Sequence, residues 1–333
     1  MRHANIAVFV PHNGCPNQCS FCNQRTISGT AAQPSAEDVA SACERAMQGG
    51  CENAVVQLAF FGGSFTAIDR GYMVSLLEAA QPYIKNGFIN GGIRVSTRPD
   101  CIDEDILLLL KKYGVRAIEL GAQSMDNTVL SLNRRGHTAD DVENAAGLIK
   151  AAGFELGLQM MTGLYGSTPE ESVATAERFI SLSPDTVRIY PTVVLPGTAL
   201  AELYLSGEYK VPSLDESVEL CSHLLEMFDR AGISVIRLGL HAQQDVCDGY
   251  LAGGYHPALR ELCEGEIYFR KIKSALDGNP KGDYEITVSS GEISKAVGQK
   301  KKNVVRLSEL GYICRIKGDE RYKRYECRVK RCF

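Results

Sequence analysis

The 333-residue sequence has no apolar run approaching the roughly 20 residues that a membrane-spanning helix needs. Its longest, Ile106 to Leu110, ends in Lys111-Lys112. It also lacks a signal-peptide core, because Met1-Arg2-His3-Ala4-Asn5 leads directly into a strand-like segment. These absences predict a cytoplasmic protein that makes no membrane contact. The 12 cysteines are then mostly free thiols rather than a disulfide framework. No G-x-G-x-x-G follows the first strand-like run, which counts against a dinucleotide-binding sheet.

Charge nearly cancels in total but is uneven in place. The net charge is −4. From Lys295 to the end there are 13 Lys and Arg against 4 Asp and Glu, a net of +9, so residues 1–294 carry −13. A basic tail on an acidic body is an electrostatic footprint suited to nucleic acid. A solvated surface on a small domain is the alternative.

Cysteine is concentrated in Cys15-Pro16-Asn17-Gln18-Cys19-Ser20-Phe21-Cys22. A fourth cysteine, which iron–sulfur clusters normally use, is missing from this C-x3-C-x2-C run. Three thiolates on one loop would leave one iron of a cubane cluster with an open position for a cofactor or substrate. A structural zinc wants four ligands, and His12 is close enough in sequence to supply the fourth, so zinc stays open on spacing alone. Cys43, Cys51, Cys101, Cys221, Cys247 and Cys263 sit singly and read as core or surface residues. Cys314, Cys327 and Cys332 read as strand and tail cysteines.

Hydrophobic periodicity alternates short apolar strands with amphipathic helices, the pattern of a parallel α/β fold. Strands are expected at Ile6–Val10, Val55–Phe61, Ile93–Thr97, Ala117–Ala122, Leu156–Met161, Val187–Val193 and Val235–Leu240. Helix starts are marked at Ser35, Thr138, Thr168 and Ser213, each followed three residues later by an acid that can complete a capping box. In a parallel barrel the reactive groups collect at the C-terminal ends of the strands. The three cysteines follow the first strand and Gly62-Gly63-Ser64 the second. Thr97-Arg98 follow the third, Gln123 the fourth and Tyr190 closes the sixth.

The cysteine spacing and the glycine pair after strand two together resemble the radical S-adenosylmethionine (SAM) superfamily. Ser96-Thr97-Arg98-Pro99-Asp100, Glu119-Leu120-Gly121-Ala122-Gln123-Ser124, Asn133-Arg134-Arg135-Gly136-His137-Thr138 and Ile189-Tyr190-Pro191-Thr192 follow in order. As a series they resemble the radical SAM half of the Elongator catalytic subunit and its stand-alone bacterial relatives, over roughly residues 5–245. The resemblance implies a partial (β/α)6-type parallel barrel at 1–245. It implies a [4Fe-4S] cluster on Cys15, Cys19 and Cys22, and SAM as the partner of its open iron. Gly62, Gly63 and Ser64 would meet the methionyl part of SAM, with Thr97, Arg98 and Gln123 around it. Arg134, Arg135, His137 and Tyr190 would face substrate, while Phe21 and Met161 shield the radical. An electron donor such as flavodoxin or ferredoxin is implied. The resemblance also brings the wobble uridine of tRNA and acetyl-CoA, but no room is left for an acetyltransferase domain, and the cysteine spacing is the short superfamily form.

After a connecting helical segment at 246–278, residues 279–333 read as a small basic α+β domain. Its strand–helix–link–helix–strand order resembles a KH module, with Gly298-Gln299-Lys300-Lys301 as an imperfect GxxG link. Lys300, Lys301 and Lys302 would suit phosphate contacts. The expected function is radical SAM chemistry with RNA or tRNA as substrate. The alternatives are a small-molecule or porphyrin-type substrate, and a non-catalytic metal-binding scaffold.

Overall fold

The computed structural model describes residues 2–11, 15, 18–23, 32–50, 54–240 and 249–332. Cys51, Cys247 and His12, the alternative zinc ligand, lie outside them.

The chain opens with β1 (Arg2–Val10), α1 (Ala36–Gln48), β2 (Ala54–Gly62), α2 (Arg70–Ala79) and α3 (Gln81–Lys85). Then come β3 (Ile93–Thr97), α4 (Glu104–Lys112), β4 (Val115–Gln123), α5 (Asn127–Leu132), α6 (Ala139–Ala151) and β5 (Glu155–Thr162). The series goes on through α7 (Pro169–Leu182), β6 (Thr186–Pro191), β7 (Val193–Val194), α8 (Ala199–Leu205), α9 (Leu214–Arg230) and β8 (Ser234–Leu238).

The main sheet runs β1-β2-β3-β4-β5-β6-β8, and every pairing in it is parallel. This is the half-barrel expected from the alternation, with β8 as a seventh strand. The sixth strand is shorter than expected: β6 ends at Pro191, and Val193–Val194 pairs antiparallel with β9 (Ala252–Gly253) instead. Proline carries no N–H for a ladder, so the sheet stops there.

The four marked helix starts close as capping boxes, with Ser35–Asp38, Thr138–Asp141, Thr168–Glu171 and Ser213–Glu216 exchanging hydrogen bonds. The Ile106–Leu110 run is an amphipathic helix: Ile106, Leu107 and Leu110 are buried, while Leu108 is exposed. Cys43, Cys221 and Cys263 are fully buried in the core. Among the described residues, no helix is long and apolar enough to cross a membrane.

A last unit follows α10 (Leu259–Leu276): β10 (Gly282–Val288), α11 (Ile293–Val297), α12 (Lys302–Glu309), β11 (Tyr312–Gly318) and β12 (Cys327–Arg331). Its sheet has the order β11-β10-β12, with β11 parallel and β12 antiparallel to β10. Tyr284, Ile286, Val288, Ala296 and Leu307 join Ile272 and Leu276 of α10 in one core.

Strands β3 to β6 are also tied together on a polar side. The Glu119 carboxylate, 1% exposed, accepts from Arg94 Nη1 at 3.2 Å, Arg188 Nη2 at 2.7 Å and Gln159 Nε2 at 2.9 Å. Arg188 also lies 5.0 Å over the Phe61 ring. One carboxylate thus neutralises parts of two buried guanidinium groups from the strands on either side. Arg94 keeps a second carboxylate, Glu155 at 3.2 Å, so removing the Glu119 charge leaves Arg188 the less compensated of the two. Glu119→Gln is expected to lower stability by about 3–5 kcal/mol, read as a fall in the urea midpoint at unchanged m-value.

Candidate cluster and cofactor site

The C-terminal ends of β1 to β5 open onto one pocket. It is lined by Cys15, Cys19 and Cys22 with Gln18 and Phe21, by Gly62 and Gly63, by Ser96, Thr97 and Arg98, and by Gly121, Gln123, Arg135 and Gln159. All three cysteines expected to act together face this pocket. Among the described residues, no three His, Cys, Asp or Glu side chains converge closely enough to hold a single ion.

The cysteine segment is anchored through its middle. Ser20 is 1% exposed. Its hydroxyl donates to Asn133 Oδ1 at 2.7 Å, its N–H donates to the Asn133 carbonyl at 3.2 Å, and its carbonyl accepts from Leu200 N–H at 2.8 Å. The Cys22 N–H donates to the Cys19 carbonyl at 3.2 Å, so Cys19 to Cys22 is one tight turn. Asn133 is itself buried and fixed, its amide donating to the carbonyls of Val129 and Tyr165.

Arginine supplies the field. Arg135, 7% exposed, places Nη1 3.1 Å from Cys19 Sγ, gives Nη2 to the Gly121 carbonyl and lies 6.0 Å from the Phe21 ring. Burial and then the Cys19 sulfur push the Cys15 thiol up, while Arg98 and Arg135 pull it down. Arg98 is held in a two-pronged pair with Asp100 at 2.9 and 2.8 Å, so much of its charge is neutralised.

The glycine segment packs against β1. A Cβ on Gly62, whose φ is +115°, would lie 2.7 Å from the Val10 carbonyl oxygen. The Gly63 N–H donates to that same carbonyl at 2.7 Å. Ser64 is fully buried and turned away from the pocket: its hydroxyl bonds Thr97 Oγ1 at 2.8 Å and accepts from Arg98 N–H at 3.2 Å. Thr97 lines the pocket, but its hydroxyl is also bound to Thr66 at 2.6 Å. These two hydroxyls lock the end of β2 to the end of β3.

Gln123 is the pocket's irregular point. Its φ is +70°, and the pairing of β4 with β5 shifts register between Leu120 and Gln123. Its Oε1 and the Nε of Arg135 are buried without a hydrogen-bond partner among the described residues. An unpartnered buried acceptor beside an unpartnered donor is costly in an empty fold and is what a polar ligand would satisfy.

The other expected site residues lie elsewhere. Arg134 is exposed at φ +53° and lines a surface recess with His137, Ser131 and Thr138. Tyr190 lies beside Arg188 and Arg237 on the polar side of the sheet, its hydroxyl pushed up by burial. Lys300, Lys301 and Lys302 are in the last unit and do not line the cysteine pocket. Lys300 and Lys301 are left-handed, and Lys302 pairs with Asp215 at 3.3 Å. Ser96 lines the pocket, at the mouth where its segment after strand three was expected. Sequence reasoning missed Gln18 and Gln159 as pocket residues and Asn133 as the anchor; Gln18 and Asn133 lie within segments quoted above, while Gln159 had no signal.

His137 is 5% exposed, with Nε2 3.2 Å from the Ala122 carbonyl and Nδ1 unpartnered. Burial first, then the Arg135 and Arg98 charges, push its pKa down to about 4, against smaller upward pulls from the Ala122 carbonyl and then Asp100; Asp141 also faces it. The unfolded chain therefore takes up a proton near pH 6.5 that the folded chain refuses until about pH 4. Stability from this group is complete above pH 6.5 and is lost as pH falls toward 4, by at most about 3 kcal/mol. Thermal melts between pH 7 and 4.5 are expected to fall less steeply for His137→Gln than for the wild type.

Comparison with known proteins follows the same lines. A model of the radical SAM superfamily matches residues 9–179, and one of a radical SAM C-terminal domain matches residues 184–268. The tRNA uridine(34) acetyltransferase of Methanocaldococcus jannaschii is 30% identical over 187 residues, 50% of this chain and 35% of that protein. Elongator complex protein 3 of Homo sapiens is 30% identical over 191 residues, 52% of this chain and 35% of that one. The chain thus spans about a third of the length of these two relatives. In fold it is similar to the archaeal Methanocaldococcus infernus Elp3, at a TM-score of 0.62 and 23% identity, over 82% of this chain and 64% of that one. With the superfamily match covering more than half its length, this chain belongs to the radical SAM superfamily of enzymes.

Proposed function

We propose that this enzyme binds a [4Fe-4S] cluster through Cys15, Cys19 and Cys22, holds SAM against it, and modifies RNA, with tRNA as the substrate. The observation that carries the reading is the pocket itself. Three thiols, the Arg135 guanidinium and an unpartnered Gln123 oxygen meet there at the mouth of a parallel half-barrel. When bound, the cluster and SAM supply reductive cleavage to a 5′-deoxyadenosyl radical, with the electron coming from a donor such as flavodoxin or ferredoxin.

The protein's own contribution is positioning. Asn133 and Arg135 position the cysteine segment, and Arg135 places a cation beside the Cys19 sulfur. The bare backbone at Gly62 and Gly63 lets the methionyl part approach, and Ser64 and Thr97 keep that backbone in place. Gln123 Oε1 is an acceptor for an amino or hydroxyl donor of SAM, and Arg98 sits where a carboxylate would meet a cation. Phe21 supplies an apolar wall that helps to exclude water from the reacting centre.

The tRNA part rests on the relatives named as tRNA uridine(34) acetyltransferases. The acetyl transfer in those names is not carried over, because the match covers 35% of their length. Within this reading residues 1–245 form the catalytic barrel, 246–278 the connector and 279–333 a KH-like, RNA-facing unit, with Lys300, Lys301 and Lys302 as its phosphate contacts.

Anaerobic reconstitution is expected to give roughly four irons and four sulfides per chain. Reduction with SAM present should then give 5′-deoxyadenosine, and Cys19→Ala should lose both cluster and product. A protein that takes up zinc alone, or a full cluster that leaves SAM intact with and without tRNA, would overturn the reading.

A further inference from the structure

The last sheet has one covered face and one bare one. Tyr284, Ile286 and Val288 of β10, with Tyr312 and Cys314 of β11, are buried toward α10, α11 and α12. The alternate residues point the other way, and no described element covers them: Ile313 is 64% exposed, and Arg315, Lys317, Arg328 and Lys330 are all exposed. Residues paired across a sheet share a face, so the register sorts these cations into two rows. One row is Arg315–Glu285–Lys330 and the next is Lys317–Thr287–Arg328.

Four cations therefore stand at the corners of a rectangle around β10. Two strand spacings make it about 10 Å wide, and two residues along a strand make it about 7 Å long. Glu285 is the one carboxylate inside, and Lys317 Nζ lies 2.7 Å from it. The Lys317 hydrogen bond, and then the Lys330 and Arg315 charges, hold its carboxyl below the usual range. Arg315, Arg328 and Lys330 make no ion pair among the described residues. Every exposed charge on the two edge strands' outer face is positive; basic residues also guard edge strands from pairing, but that role does not need them gathered in two facing rows on one face.

We infer that this outer sheet face binds the phosphate backbone of RNA, through Arg315, Lys317, Arg328 and Lys330. It rests on the reading that RNA is the substrate, and it adds a contact surface on the other side of the sheet from the Lys300–Lys302 link. The face carries no aromatic residue at Asp283, Glu285, Thr287, Ile313, Arg315, Lys317, Arg328 or Lys330, so it offers no platform for stacking bases. It grips charge and not sequence, which suits the body of a folded RNA held while one nucleotide enters the barrel. A lipid surface would need an apolar face to insert, and Ile313 is the only apolar side chain there. An acidic protein would need buried anchor residues, which are equally absent. Neither matched family model reaches this unit, the second ending at residue 268.

The test is binding of an in vitro-transcribed tRNA to the full chain across a salt series. The variant R315Q/K317Q/R328Q/K330Q is compared with R45Q/K85Q/K112Q/K210Q, which removes four exposed cations outside the sheet. The sheet variant is expected to bind at least tenfold more weakly at 0.1 M salt. The slope of log affinity against log salt should fall by roughly 3, as four lost phosphate contacts require. The second variant should stay close to wild type. A charge-keeping variant, R315K/K317R/R328K/K330R, should bind like wild type, which separates lost charge from lost folding. Unchanged affinity and slope in the glutamine variant overturn this inference and leave the RNA reading standing. Wild-type protein that cleaves SAM but does not bind tRNA overturns both. Binding of phosphatidylglycerol vesicles through the same four residues, with no tRNA binding, overturns this inference in favour of a membrane surface.

Discussion

The site depends on how one buried turn grips the cysteine segment. Asn133 holds Ser20 by side chain and backbone, and Arg135 reaches past it to the Cys19 sulfur. Both residues follow α5 and are separated from the cysteines by more than 100 positions. The Leu200 N–H and the Pro196 carbonyl hold the same segment from its other side, through the Ser20 carbonyl and the Asn23 amide. Through Asn133 and Arg135, the segment is fixed to the end of β4, the strand that also contributes Gly121 and Gln123. The same few residues therefore set the distance between the three cysteines and the rest of the pocket.

That arrangement carries costs which the rest of the barrel offsets. Gln123 is left-handed and has a buried acceptor without a partner, and Arg135 has a buried donor without one. Strain and unpaired polarity of this kind persist only where surrounding structure over-determines them. Here the restraint comes from the Arg94–Glu119–Arg188 network across β3 to β6, and from the Ser64–Thr97–Thr66 hydroxyl chain that locks β2 to β3. Gln159 links the first of these to the pocket, since it bonds Glu119 and lines the pocket.

Much of the fold could be read from the chain because its signals are local. The capping boxes at Ser35, Thr138, Thr168 and Ser213 and the apolar strands need only neighbouring residues to be recognised. The pocket was legible at the level of strand ends, which placed the cysteines, Gly62, Gly63, Thr97, Arg98 and Gln123 along its wall. What escaped was long-range. Ser64 reads as a pocket hydroxyl in sequence, yet it is spent on Thr97 and Arg98. Arg134, Arg135 and His137 form one polar string in sequence, but the left-handed Arg134 turns the chain so that only Arg135 reaches the cysteines. The hub role of Glu119 depends on three other strands, and no local pattern announces it.

The central claim is that this pocket presents SAM to the one iron that three cysteines leave open. Hyperfine spectroscopy of the reduced, reconstituted protein with SAM labelled by ¹⁵N at the amino group tests it most directly. The account predicts a coupling between that nitrogen and the cluster spin. A cluster signal that is the same with and without labelled SAM would contradict it.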